Sequence, residues 1–244
     1  MKVLDLFSGL GGFSLGLERA GMQTVAFCEI EPFQRAVLKK HWPEVPCYED
    51  VRTLTAERLA ADGIAVDVIC GGFPCQDLSV AGKGAGISGS RSGLWSEITR
   101  LVRDLEPRFV ILENVSVLLA RGISDVLGDL ASLGYDAEWH CIPAYYVGSP
   151  QARDRVWIVA YPMQSRGTRG RAGWDWWGEK SKGQAGFVDW CSDEKANDKL
   201  WLEPPLDRVA YGVSRSVDSI NSLGNAVVPQ IPEMIGRAIM ESQK

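Results

Sequence analysis

Three strand-like runs in this chain end in residues able to do polar chemistry. The first, residues 66–70, is an apolar run closed by Gly71 and Gly72, after which Pro74 and Gln76 flank Cys75 in the stretch GGFPCQDLS. Glycines and a proline shape a turn rather than a core, so this sulfur reads as a positioned group. A thiol attacks only as the thiolate, which nearby positive charge or a helix N-terminus favours. The second run, 109–112, leads straight into Glu113 and Asn114 of ILENV. A carboxylate at the end of a buried strand is unfavourable unless it has a partner or holds a proton. The third stretch, QARDRVWIVA (151–160), sets Arg153 and Arg155 just before an apolar strand. Residues two apart on a strand point the same way, so both guanidiniums can face one site. A thiol, a carboxyl and a cationic pair at three strand ends make a candidate catalytic constellation.

A fourth stretch, DLFSGLGGFSLGLERAG (5–21), reads as strand, glycine turn and helix. Glycines admit a ligand close to the backbone, and a helix N-terminus offers free N–H groups to an anion. Glu29 ends the next strand, about twenty residues on, where a carboxylate would hold ribose hydroxyls. Gly9, Gly11 and Gly12 open the turn, but Ser14 stands where the dinucleotide fingerprint has its third glycine. An adenosine-bearing cofactor without a pyrophosphate fits this spacing better than a dinucleotide does. A turn needed only for packing is the alternative.

The elements that must hold these groups alternate. Residues 2–7, 24–28, 45–48, 66–70, 109–112, 135–142 and 156–161 read as strands. Helical spacing covers 11–20, 32–40, 55–61, 94–105, 117–133 and a closing helix carrying Val228, Ile231, Ile235, Ala238 and Ile239. Such alternation predicts an α/β fold, a Rossmann-like, mostly parallel sheet with helices on both faces. The pattern breaks over 163–203, which is rich in Gly, Lys, Arg, Asp and Trp and has no period. A hydrophobic fraction of 45% supports a sizeable core, and no stretch approaches a membrane span. Six cysteines without a CxxC pair, and only two histidines, disfavour a structural zinc site and fit a reducing, cytoplasmic setting. The net charge of −5 argues against a general nucleic-acid coat but leaves room for a local basic face.

Taken together, DLFSGLGG, EIEP, GGFPCQDLS, ENV, QARDRVWIVA and NSLGNAVVPQ (221–230) occur in an order that resembles the DNA (cytosine-5) methyltransferases. The resemblance covers nearly all of the chain outside 163–203. It implies S-adenosylmethionine as methyl donor, with S-adenosylhomocysteine as product and no metal. Phe7, Leu10, Gly11 and Gly12 would line the cofactor, Glu29 would hold its ribose, Ile30 would pack on the adenine and Asp50 would reach the adenine amino group. Asn225, Ala226 and Val227 would close over the methionine end. Cys75 would add to C6 of a flipped cytosine, Glu113 would protonate N3, Arg155 would hold O2, and Arg153 would brace the loop or the carboxylate. Gln76, Ser79 and Asn114 would lie toward the DNA, with residues 77–93 as a lid. Arg166 and Arg169 would contact DNA from a small target-recognition insertion, residues 163–207, within a catalytic domain of 1–162 and 208–244. Double-stranded DNA would be the partner, monomeric action is in keeping with it, and a bacterial or phage-encoded restriction–modification setting would add a cognate endonuclease. An RNA-methylating relative, a non-catalytic DNA-binding descendant and a nicotinamide oxidoreductase are the competing readings.

Overall fold

Residues 2–6 read KVLDL, and all but the first are buried, as expected of a central strand covered on both faces. The computed structural model describes residues 1–74, 93–120, 122–149, 153–163 and 226–243. In chain order the elements are β1 (Lys2–Leu6), α1 (Gly12–Arg19), β2 (Gln23–Cys28), α2 (Pro32–His41), β3 (Cys47–Tyr48), α3 (Ala56–Ala61) and β4 (Val68–Gly72). Then come α4 (Leu94–Leu105), β5 (Phe109–Val115), α5 (Ile123–Ser132), β6 (Tyr135–Pro143), β7 (Asp154–Pro162) and α6 (Gln230–Ser242).

The strands form one seven-stranded sheet in the order β3-β2-β1-β4-β5-β7-β6. The pairings among β3, β2, β1, β4 and β5 are parallel, whereas β7 runs antiparallel to both β5 and β6. The sheet is thus mostly parallel, as the alternation implies. The chain winds outward from β1 in one direction and from β4 in the other. The crevice between their carboxyl ends is where open α/β sheets bind ligands. Because β7 is reversed, its first residues lie at that same edge, beside the end of β5.

Helices cover both faces. One core packs Leu59 of α3, Trp95, Ile98, Leu101 and Val102 of α4, and Val126 and Leu130 of α5 onto Leu4, Leu6, Ile69, Val110 and Leu112. The other packs Phe13 and Leu17 of α1 and Ile231, Ile235 and Ile239 of α6 onto Val3, Val68, Cys70, Ile111 and Val159. Helices α1 and α6 meet almost backbone to backbone. A Cβ on Gly16 would lie 2.2 Å from the Pro229 carbonyl oxygen, and one on Gly236 would lie 2.8 Å from Ala20 Cβ. The end of the chain therefore returns to the glycine turn.

Two expectations shift. The single helix expected over 117–133 is a 3-10 turn, Ser116–Leu119, followed by α5. Gly122, at φ 135°, lies between them, and no right-handed helix passes through that conformation. The strand expected over 45–48 shrinks to Cys47–Tyr48. Among the described residues no helix is long and apolar enough to cross a membrane.

Candidate active site

The carboxyl end of β1 turns sharply. Phe7 takes φ 53°, a left-handed conformation rare for a bulky residue. Such a residue costs on the order of 1–3 kcal/mol and persists where its surroundings over-determine it. Here Ser8 Oγ donates to the Asp5 carbonyl at 2.6 Å, the Ser8 amide to the Cys28 carbonyl at 3.3 Å, and the Gly11 amide to the Ser8 carbonyl at 2.8 Å. The Gly9 amide donates to Glu29 Oε2 at 2.7 Å, and the Glu31 amide donates to Glu29 Oε1 at 2.9 Å. Glu29 is thereby buried yet fixed at the end of β2 beside the turn, while the next side chain, Ile30, is 56% exposed. An oriented acid beside an open apolar face suits a sugar diol and a purine.

The glycines of the turn answer to packing as well. At Gly11, φ is +82° and a Cβ would strike the Trp42 ring at 2.7 Å. At Gly12 it would strike the Val227 carbonyl oxygen at 2.4 Å. Leu10, Ala226 and Val227 are half-buried around this junction. Asp50 follows β3, and its carboxylate is taken by Arg52, with Nη2 to Oδ2 at 2.7 Å. Both groups face water, where such a pair is weak and exchangeable.

Beneath the turn lies a polar group that sequence reasoning missed. Asp5 is fully buried, with Ser14 Oγ donating to its Oδ2 at 2.7 Å and the Cys70 thiol nearby. Ser14 thus serves as the anchor of α1. Burial pushes the Asp5 carboxyl up to about 7; the Ser14 bond opposes this and the charge of Glu29 adds to it. A carboxyl raised on folding contributes stability that is complete below its unfolded value and lost as pH rises through the folded one. Between pH 4 and pH 8 the protein is therefore expected to lose on the order of 4 kcal/mol relative to Asp5→Asn, which keeps an acceptor for Ser14. Urea unfolding of both proteins at the two pH values checks this; parallel pH profiles would refute it.

At the end of β5, strand alternation separates two neighbours. Glu113 sits between Gly72 of β4 and Trp157 of β7, and Arg155 lies diagonally, opposite Val115. Arg155 Nε sits 2.8 Å from Glu113 Oε1. Burial pushes the Glu113 carboxyl above the ordinary carboxylate range, and the charges of Arg155 and then Arg153 offset this only in part. Arg153 is half-buried and its carbonyl accepts from the Ala144 amide at 2.9 Å. The other oxygen, Glu113 Oε2, overhangs Gly72, where a Cβ would stand 3.1 Å away. Glu113 therefore leans over the last residue of β4, which Phe73 and Pro74 follow.

Asn114 is held by bonds within the protein. It is 3% exposed, its Nδ2 donates to the Phe73 carbonyl at 2.9 Å and its Oδ1 accepts from the Val115 amide. It ties the end of β5 to Phe73, just after β4. Cys75, Gln76, Ser79, Arg166, Arg169 and Asn225 lie outside the described residues, as do the expected lid except Gly93 and nearly all of the expected insertion. The four described cysteines are all free, and burial pushes each thiol up, Cys28 to about 12, Cys47 to about 11 and Cys70 well above its usual range, with Cys141 also raised. None of these four suits a nucleophile. Among the described residues no cluster of His, Cys, Asp or Glu could hold a metal ion.

Residues 1–172 match the family model described as C-5 cytosine-specific DNA methylase. The chain belongs to that family. Its similarity to the Type II methyltransferase M2.BsuMI of Bacillus subtilis is 38% identity over 168 residues, covering 66% of this chain and 42% of that protein. With the Type II methyltransferase M.HhaI of Haemophilus parahaemolyticus it is 32% over 165 residues, 66% of this chain and 49% of the other. The chain thus spans about half, or less, of the length of these curated relatives. A putative DNA modification methyltransferase encoded within an Escherichia coli prophage superposes with a TM-score of 0.58 at 29% identity, over 68% of this chain and 48% of its own. A Spodoptera frugiperda DNMT2 variant, at 22% identity and a TM-score of 0.55 over 66% of this chain and 50% of its own, shares the fold. Members of this methylase family take their methyl group from S-adenosylmethionine.

Proposed function

We propose that this chain transfers a methyl group from S-adenosylmethionine to C5 of a cytosine flipped out of duplex DNA. One observation carries the reading. Glu113, paired with Arg155, overhangs Gly72 at the end of β4, three positions before Cys75 in the chain, at the crevice that also bears the glycine turn and Glu29.

The residues present fit the cofactor. Glu29 would take the ribose hydroxyls, Ile30 and Phe7 the adenine faces and Asp50 its amino group, while residues 225–227 would close over the amino-acid end. When bound, the cofactor supplies an electrophilic methyl on a sulfonium. The chain's own work is to make C5 nucleophilic. The Cys75 thiolate adds to C6, and the ring electrons move toward C5 as Glu113 gives its proton to N3. Arg155 bonds O2 and keeps the ring polarised, and Arg153 adds positive charge beside Glu113. Once C5 carries the methyl, loss of the C5 proton to water and expulsion of the Cys75 thiolate, with the N3 proton returned to Glu113, restore aromaticity. A carboxyl raised by burial suits proton donation at neutral pH. The base must leave the stack, at a cost of a few kcal/mol. Residues 163–207 form the target-reading insertion in this reading, and a cognate restriction endonuclease is the partner that a Type II system implies.

The test is incorporation of labelled methyl from S-adenosylmethionine into duplex DNA and into transfer RNA, followed by bisulfite mapping. Label at C5 of cytosine in DNA is the expected result. Label in transfer RNA alone would overturn the substrate, and none in either would overturn the activity.

A further inference from the structure

The fixed direction of Glu29 and Ile30 has a source outside the motifs. Arg35, at the end of the first turn of α2, donates from Nη1 to the carbonyl of Glu29 at 3.2 Å and to the carbonyl of Ile30. Its Nη2 lies 3.2 Å from Glu49 Oε1, one residue before Asp50. The backbone ties the same joint, since the Glu29 amide donates to the Tyr48 carbonyl at 2.9 Å. One guanidinium thus grips the ends of β2 and β3, the two strands whose tips carry the acid, the apolar face and the second acid of the adenosine subsite.

We infer that Arg35 is a positioning residue that sets the adenosine half of the cofactor site. This deepens the reading above and rests on it. Two successive carbonyls aimed at one guanidinium fix two peptide planes. Those planes set where the side chains of Glu29 and Ile30 leave the backbone. The Gly9 and Glu31 amides hold the Glu29 carboxylate only if the backbone between them keeps that course. The fork of Arg can bridge both carbonyls and Glu49 together, whereas the point charge of Lys cannot. Arg35 touches no reacting atom, so its effect belongs on cofactor affinity rather than on chemistry.

Three measurements test this on the full chain. Arg35→Ala is expected to raise the KM for S-adenosylmethionine by about tenfold or more, with kcat at saturating cofactor unchanged; Arg35→Lys should fall between. Calorimetry with adenosine and 2′,3′-dideoxyadenosine supplies a readout that a merely structural role would not move. Wild type should prefer adenosine, and Arg35→Ala should narrow that preference, because a misdirected Glu29 no longer recognises the diol. Arg35→Lys carries the same comparison if the alanine variant does not fold. Equal cofactor affinity in wild type and variants, or an undiminished preference for the diol, overturns the inference alone. A wild-type protein that takes up no S-adenosylmethionine overturns the functional reading, and this inference with it.

Discussion

Cys75→Ala is expected to lower the methylation rate at least about a thousandfold while leaving S-adenosylmethionine binding within a few-fold of wild type. Cytosine C5 does not attack an alkylating agent unaided, so removing the group that adds to C6 removes the reaction rather than slowing one step. The other thiols among the described residues give no substitute. Cys28 and Cys70 are buried with raised pKa values, and Cys47 and Cys141 are raised as well. The cofactor site should survive because the supports described for it, from Gly9 to Glu29 and from Arg35 to Glu49, join other residues. Tritium transfer measures the rate, and calorimetry the binding. Duplex DNA carrying 5-fluorocytosine gives a third readout: wild type should form a covalent complex that survives denaturation, and the alanine variant none. A variant that keeps its rate, or is trapped as well as wild type, sinks the thiolate mechanism.

Much of this arrangement is legible in the chain because it is local. Apolar runs of strand length alternating with helical periods give the sheet and its two covered faces, and a polar residue directly after such a run lies at a strand end. Glu29 and Glu113 are found in that way. What is not legible depends on contacts between distant residues. No local signal says that β7 inserts between β5 and β6, yet only that insertion sets Arg155 diagonal to Glu113. The glycines read as room for a ligand also make room for Trp42 and Val227, which come from just after α2 and from the far end of the chain. Asn114 shares a motif with Glu113, but alternation turns it toward Phe73. Asp5 and Arg35 look ordinary in sequence; burial in one case and two backbone carbonyls in the other give them their roles.

The second large effect belongs to Glu113. Glu113→Gln keeps the shape and one acceptor for Arg155 but has no proton to give at N3, and turnover should fall by about 10²–10⁴-fold. The pH profile separates proton donation from simple positioning. Glu113 is raised above the usual carboxylate range by burial. Its donating form is therefore full at low pH and is lost as pH rises through the folded pKa. The Cys75 thiolate works in the opposite sense and is gained as pH rises. Wild-type kcat should pass through a maximum, with Cys75 setting the acid limb and Glu113 the alkaline limb. In Glu113→Gln the alkaline fall should vanish while the acid limb stays, leaving a low rate that rises to a plateau. Folding should tolerate the change, because Arg155 keeps the Asp154 carbonyl, 2.9 Å from Nη1, and its side chain is 21% exposed to water. Single-turnover rates from pH 5 to pH 9 for the two proteins decide the matter. An alkaline limb that persists in the glutamine variant would assign the proton to another group, and a rate equal to wild type would remove Glu113 from the chemistry altogether.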